Sequence, residues 1–288
     1  MPTTPNGFRH NDNDLLHGFD YIELYVGNAR QAAHFYRTAF GFRPIAYSGL
    51  ETGMRDRASI VVQQNDVTLM LTSPLTPDSP VAEHVKLHGD DVKDIAFNVR
   101  DAAEAFDFAV SRGAKPILSP TVMEDDRGSI KKATIGAFGD TVHSFIERNG
   151  EGNGFFPTFE PIENSAPAVH TGLTSIDHVA LSVNPSQMNE LVDFYNNTLN
   201  FHHSFTEDII TDYSSMNSKV VENGSGRIKF PIVEPAPGQR KSQIEEYLTF
   251  HHGPGAQHIA LTSDDMISTV RALRANGNEF LRTPGNYY

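Results

Sequence analysis

Four segments of the chain share one hydrophobic pattern, in which an apolar run typical of a β-strand is followed by apolar residues at helical spacing. The segments are residues 20–42, 93–118, 175–201 and 256–282. A pattern that returns along a chain in this way is typical of repeated β-α units. The sequence therefore predicts a mixed α+β protein built from a duplicated unit.

The helices of the first and third segments are predicted most clearly. Ala29 to Phe40 and Met188 to Leu199 each place large apolar side chains along one face, and Gly41 ends the first of them. Asn223-Gly224 is a typical hairpin turn. Further strands are predicted at residues 58–62, 67–72, 218–221 and 226–233.

Two strand motifs of the first half return in the second half with a histidine added. The pairs are Phe19–Leu24 with Ser175–Leu181, and Val92–Phe97 with Ala256–Leu261. His178 stands at the place of Tyr21, and His258 stands at the place of Asp94. Histidine is the commonest metal ligand, and equivalent positions of paired repeats can converge on one point. The second half is therefore predicted to hold a metal ion, and the first half to be its inactive copy.

A structural role is the alternative for these histidines. The chain has 13 histidines, and any one of them taken alone is more often structural or solvated than a metal ligand. His178 and His258 differ because each lies in an apolar strand, where an unsatisfied imidazole would cost about 1–3 kcal/mol. Their shared place in the repeat favours ligation. A carboxylate is the expected third ligand if the metal is redox-active and has open positions.

The length of 288 residues is sufficient for two domains. We expect domains at residues 1–150 and 173–288, joined by a linker at 151–172 that is rich in Gly, Pro, Asn and Glu.

Composition narrows the function further. The chain has no cysteine, which excludes disulfides and thiolate ligands and disfavours a structural zinc site. The net charge of −13 argues against nucleic acid as a partner. No apolar run is long enough to span a membrane, and the first residues lack the pattern of a secretory signal. We therefore expect a soluble, cytoplasmic protein. We also expect its partner to be a small molecule.

A series of motifs in order along the chain carries a family resemblance. They are Tyr25–Ala29, Phe35–Phe42, Gly53–Ala58 and His88–Ala96 in the first half, and Ile176–His178, Glu234–Ala236, Lys241–Ile244 and Gly255–Ala260 in the second. Over essentially its whole length the chain resembles the 4-hydroxyphenylpyruvate dioxygenase family. The resemblance implies an α+β fold of duplicated βαβββ modules of the vicinal-oxygen-chelate type, in two tandem domains.

The resemblance also implies a site. His178 and His258 would bind Fe(II) together with a glutamate on a late strand of Phe-Ile-Glu type, whose inactive copy would be Glu147 in Phe145-Ile146-Glu147. The third ligand is expected beyond residue 288, so the second domain is expected to be incomplete and the chain alone to bind iron weakly. The positions that shape the substrate pocket by hydrogen bonding are matched by Ser218, Gln243 and Gln257.

Val233 departs from the family pattern and leaves two reactions open. Members that form homogentisate typically have Asn in this motif, whereas this chain reads Ile232-Val233-Glu234-Pro235. Close relatives that form 4-hydroxymandelate carry an aliphatic residue there. The leading expectation is oxidation of 4-hydroxyphenylpyruvate by O2 to homogentisate and CO2, as in tyrosine catabolism, and the alternative is 4-hydroxymandelate from the same substrate.

Other classes share the module fold. A non-catalytic ligand-binding module, an extradiol ring-cleaving dioxygenase and a glyoxalase-like isomerase are the further alternatives, and oxygen uptake together with CO2 release would separate them. The resemblance implies a homo-oligomer, either a dimer or a tetramer.

Overall fold

The computed structural model describes residues 15–149, 155–163, 169–210 and 215–281. In the first half these residues form nine strands and three α-helices. The strands are β1 (Leu16–Tyr25), β2 (Arg43–Ser48), β3 (Arg57–Gln64), β4 (Val67–Pro74), β5 (Asp91–Val99), β6 (Pro116–Asp125), β7 (Gly128–Phe138), β8 (Thr141–Asn149) and β9 (Glu160–Pro161). The helices are α1 (Ala29–Phe40), α2 (Pro80–His88) and α3 (Ala102–Ser111).

The first-half sheet contains two copies of one unit. Its strand order is β6-β7-β8-β5-β1-β4-β3-β2-β9. In the first unit, β1 leads through α1 to the meander β2-β3-β4, and β4 returns parallel to β1. In the second, β5 leads through α3 to β6-β7-β8, and β8 returns parallel to β5. The antiparallel pair β1·β5 joins the two units at the centre of the sheet.

The second half repeats this plan. Its elements are β10 (Leu173–Ser182), α4 (Met188–Leu199), β11 (His202–Ile210), β12 (Ser215–Glu222), β13 (Lys229–Ala236), α5 (Gln243–His251), β14 (Gly255–Ser263) and α6 (Met266–Ala275). The strand order is β11-β12-β13-β10-β14, with β13 parallel to β10 and β14 antiparallel to it. The prediction of duplicated βαβββ modules is confirmed, whereas the exact domain boundaries stay a prediction. Part of the segment predicted as linker forms β9, which pairs with β2.

Local signals explain where the helices begin and end. The Asn28 side chain caps α1 by accepting a hydrogen bond from the Gln31 amide, and Gly41 ends it with a φ of 79°. Helix α5 begins with a capping box between Ser242 and Glu245. None of the helices in the described residues is both long and apolar enough to cross a membrane.

An aromatic cluster joins the two halves around Phe230, which is fully buried on β13. Its ring packs against Phe19, Phe97 and His143 of the first half, and against Tyr195 and Phe201 of the second, with ring centroids 4.9–6.2 Å apart. The core is therefore continuous across the two sheets.

Two histidines make polar contacts in this boundary. His143 places Nδ1 3.0 Å from the Ile95 carbonyl oxygen and Nε2 2.8 Å from the Tyr195 hydroxyl. The carbonyl requires a proton on Nδ1, so the hydroxyl donates to Nε2 and the ring is neutral. Burial agrees with this, because it lowers the pKa of His143 to about 4.

His251 of α5 has hydrogen-bond partners of a different kind from those of His143. Its Nε2 lies 2.9 Å from Asp91 Oδ2 and its Nδ1 lies 2.9 Å from the Gly253 carbonyl oxygen. Both neighbours are acceptors, so both ring nitrogens donate and the ring is an imidazolium. Although burial opposes the charge, the hydrogen bond and charge of Asp91 raise the pKa of His251. Neighbouring His88 stacks on this ring with the centroids 4.3 Å apart.

Candidate metal centre

The structure brings His178 and His258 together at the pairing of β10 with β14. Cα partners in this pair are His178 with Ala260 and Ala180 with His258, which places both histidines on the same side of the sheet. Their Nε2 atoms lie 3.3 Å apart, and their ring planes are inclined by 74°. The two imidazoles thus converge through the same ring nitrogen.

Hydrogen bonds at the far side of each ring determine its tautomer. Nδ1 of His178 donates to Asp177 Oδ2 over 2.7 Å, and Lys229 Nζ lies 3.3 Å from Asp177 Oδ1. Nδ1 of His258 donates to Oε1 of Gln257. Because a proton on Nδ1 leaves a lone pair on Nε2, both rings present an acceptor to the point between them.

Neighbouring groups lower the pKa values of Asp177 and His258 at this centre. The hydrogen bond from His178 and the charge of Lys229 together lower the pKa of Asp177. Although the His258 residue as a whole is exposed, desolvation of its ring and then the neighbouring His178 lower its pKa. A lowered pKa favours the neutral form of His258, which is the form that binds a metal ion.

The pair fits two adjacent ligands of one metal ion. Ligand nitrogens about 2.1 Å from a metal lie about 3 Å from each other when they occupy neighbouring positions, close to the 3.3 Å observed. In the part of the chain that the structure describes, no group of three or more His, Asp or Glu side chains has the arrangement of a metal site. The described residues therefore bring together two imidazole nitrogens, and each ring has a hydrogen bond at its other nitrogen.

Two of the predicted pocket residues share the sheet face of the histidines. Ser182 lies four positions after His178, and it is the Cα partner of Val233, which in turn pairs with Ser218. We call the side of the second sheet that carries His178, Ser182, Ser218, Val233 and His258 the site face. The opposite side packs on α4, where Glu234 accepts a hydrogen bond from the Met188 amide.

Gln257 and Gln243 are placed differently. Gln257 is engaged with His258, so in this structure it orients a histidine. Gln243 is exposed at the first position of α5.

Ser182 was not predicted as a site residue. It is completely buried, and its Oγ has no hydrogen-bond partner among the described residues. Strand alternation from His178 was the signal that could have indicated it, because residues two and four positions along a strand share a face.

The first half contains a filled counterpart of this centre. The Cα partners of β1 and β5 are Tyr21 with Ala96 and Glu23 with Asp94, the same register as His178 with Ala260 and Ala180 with His258. Tyr21 and Asp94 are therefore the structural equivalents of the two histidines, as the repeat predicted.

Glu147 is not the third member of this counterpart. It lies on the opposite face, where it accepts hydrogen bonds from the Ala102 amide and from Lys131. Ser144 takes the place instead, with its hydroxyl 2.6 Å from Asp94 Oδ2. The expectation for Glu147 was wrong because side chains alternate between the two faces along a strand. Glu147 lies three positions after Ser144 and therefore faces the opposite side.

Comparison with known proteins supports the architecture. The family model of the glyoxalase/bleomycin resistance protein/dioxygenase superfamily matches residues 18–147 and 175–288, which are the two halves described above.

Individual relatives are similar over nearly the whole chain. A 4-hydroxyphenylpyruvate dioxygenase of Dictyostelium discoideum is 43% identical over 95% of this chain and 77% of its own length. One from Danio rerio is 42% identical over 94% of this chain and 70% of its own length. Among solved structures, a triple mutant of 4-hydroxymandelate synthase from Streptomyces coelicolor aligns with a TM-score of 0.85 at 34% identity, covering 94% of this chain and 78% of that one.

Proposed function

The chain belongs to the 4-hydroxyphenylpyruvate dioxygenase family of the glyoxalase/bleomycin resistance protein/dioxygenase superfamily, and we propose that it converts 4-hydroxyphenylpyruvate and O2 to homogentisate and CO2. In this proposal His178 and His258 hold Fe(II). The observation that carries it is the convergence of their Nε2 atoms, 3.3 Å apart on the face that also holds Ser218 and Val233.

The chain's own groups prepare this site. Asp177 and Gln257 hold the Nδ1 protons, so both Nε2 lone pairs are available without a change of tautomer. Bound Fe(II) would supply open coordination positions for a 2-oxo acid and dioxygen. The residue equivalent to Ser144 in the second half, where a third ligand would stand, is outside the described residues.

The site face would orient the aromatic end of the substrate. Ser218 offers a hydroxyl group and Val233 beside it offers an apolar surface, whereas Ser182 is completely buried. Because a hydroxyl can hold a phenol by hydrogen bonding while valine cannot, Ser218 would position the ring. Orientation matters here since the geometry of approach determines whether the ring or the benzylic carbon is oxidised.

Val233 is the specific observation that favours a second candidate, the formation of 4-hydroxymandelate. Val233 is 9% exposed and is the cross-strand neighbour of Ser218. Replacing Val233 with Asn would restore an amide at this point, and we expect it to raise the proportion of homogentisate among the products. A product ratio that does not respond to V233N would remove this residue from the choice between the two reactions.

Oxygen consumption tests the proposed function. We expect 4-hydroxyphenylpyruvate to cause Fe(II)-dependent O2 uptake matched by CO2 release, and we expect the substitutions H178A and H258A each to abolish both. The matched control is H34A, since His34 is exposed on α1. Uptake that survives H178A and H258A would contradict the metal role, and O2 uptake without CO2 release would favour a ring-cleaving dioxygenase.

The remaining features of the proposal follow from family membership. The partners are a small 2-oxo acid and O2, and we propose a cytoplasmic homo-oligomer that binds neither nucleic acid nor membranes. The net charge of −13 supports the exclusion of nucleic acid.

A further inference from the structure

A partly buried lysine lies inside the first-half counterpart of the metal centre. Lys132 on β7 places Nζ 2.8 Å from the Tyr21 hydroxyl and 3.3 Å from Asp94 Oδ2. Tyr21 donates to the same carboxylate oxygen over 2.9 Å, and Ser144 donates to it over 2.6 Å. We call Tyr21, Asp94, Lys132 and Ser144 the ammonium cluster.

We propose that the Lys132 ammonium takes the place of a metal ion in the first half, and that this half keeps a latent divalent-cation site of oxygen ligands beneath it. The proposal rests on the assignment of His178 and His258 as metal ligands, because Tyr21 and Asp94 are their equivalents in the strand register. It goes beyond that assignment by giving the inactive half a cation of its own.

The surroundings of the ammonium are those of a cation site. Asp94 is 2% exposed and its second oxygen, Oδ1, has no hydrogen-bond partner among the described residues. Glu23, the Cα partner of Asp94, is 9% exposed and its pKa is raised, chiefly by burial. Several buried oxygen atoms thus surround one positive charge, and oxygen atoms are the ligands that hard divalent cations prefer.

Aromatic rings close the cluster from the open side. Phe155 and Phe156 each pack edge-on against the Tyr21 ring with centroids 5.6 Å apart. Lys132 Nζ lies 5.9 Å from the centre of the Phe156 ring. In the second half His178 is half-buried and His258 is exposed, so the two centres differ in access as well as in side chains.

An ordinary buried ion pair is the competing explanation, and it makes a different prediction. A lysine that only pairs with Asp94 would leave an empty or collapsed space when it is shortened. A lysine in the place of a metal would leave a set of oxygen atoms that accepts one.

Mn²⁺ binding in variants of the full chain tests the proposal. The background is H178A/H258A, so that any site detected belongs to the first half. Into it are placed K132A, which vacates the position, and K132E, which keeps much of its volume and adds a carboxylate. The matched controls are K131A and K131E, because Lys131 precedes Lys132 on the same strand and faces Glu147 on the other side of the sheet.

We expect K132A or K132E to bind one Mn²⁺ per chain by electron paramagnetic resonance, with a rise of about 5 °C or more in melting temperature at saturating Mn²⁺. The Lys131 variants should show neither effect. The proposal is overturned if neither Lys132 variant gains Mn²⁺ binding or Mn²⁺-dependent stability beyond its Lys131 control. Failure of the proposed function would appear separately, as Fe(II)-dependent O2 uptake that does not need His178 and His258.

Discussion

Replacing Phe230 with Ala should destabilise the whole chain, because this ring fills the space between the two halves. Phe230 is fully buried, and five aromatic rings surround it. Phe to Ala substitutions in cores cost about 3–5 kcal/mol, and the cost is greater where the neighbours cannot move into the space. Tyr195 donates a hydrogen bond to His143 that holds both rings in place, so we expect a loss of about 4 kcal/mol.

Urea unfolding followed by far-ultraviolet circular dichroism and by tyrosine fluorescence measures this loss. The control is Phe205→Ala, since Phe205 on β11 is 56% exposed and its removal should cost less than about 1 kcal/mol. A loss below about 1 kcal/mol for F230A, or one equal to that of F205A, would refute the packing argument. It would mean that the two halves do not share a core at this point.

Two further predictions concern the histidines. Asp177→Asn should weaken Fe(II) binding about 10- to 100-fold, because the carboxylate that orients His178 is lost. Competition with a chelator measures this affinity, and Asp264→Asn at an exposed position is the control. Equal affinities of the two variants would contradict the role of Asp177. His251→Asn should reduce the free energy of unfolding more at about pH 6 than at about pH 9. The pKa of His251 is raised in the folded state, so the charged ring stabilises the fold below the unfolded-state pKa of about 6.5. This stabilisation is lost as the pH rises through the folded-state pKa. His252→Asn at the exposed neighbouring position is the control, and a pH-independent loss in H251N would argue against a charged ring.

The helices that the sequence predicted well are those with a continuous apolar face. Helices α1 and α4 have the predicted bounds, Ala29–Phe40 and Met188–Leu199. Helices α2 and α5 were not predicted, because each has only nine residues and a mixed pattern. Their signals were local caps, Ser79 before Pro80 and the Ser242–Glu245 capping box.

The sequence pattern also did not predict the length of one turn. The turn between β12 and β13 spans residues 223–228 and not the two residues Asn223-Gly224. Asn223 organises it by accepting a hydrogen bond from the Ile228 amide.

The candidate site was predictable where it follows the repeat and unpredictable where it depends on distant strands. The meeting of His178 and His258 follows from equivalent positions in paired strands. The orienting contact of Gln257 depends on a side-chain rotamer. The contact of Lys132 with Tyr21 joins residues 111 positions apart, and no local sequence pattern predicts a contact between residues so far apart in the chain.

The most direct test of the proposed function is product analysis by mass spectrometry, with Fe(II), ascorbate, 4-hydroxyphenylpyruvate and ¹⁸O2 supplied to the protein expressed from its own gene. We predict homogentisate that carries two ¹⁸O atoms, together with CO2 from the substrate carboxylate. 4-Hydroxymandelate in its place would assign the chain to the alternative reaction at Val233. If neither product forms in the presence of bound Fe(II), the proposed oxidation of 4-hydroxyphenylpyruvate is contradicted.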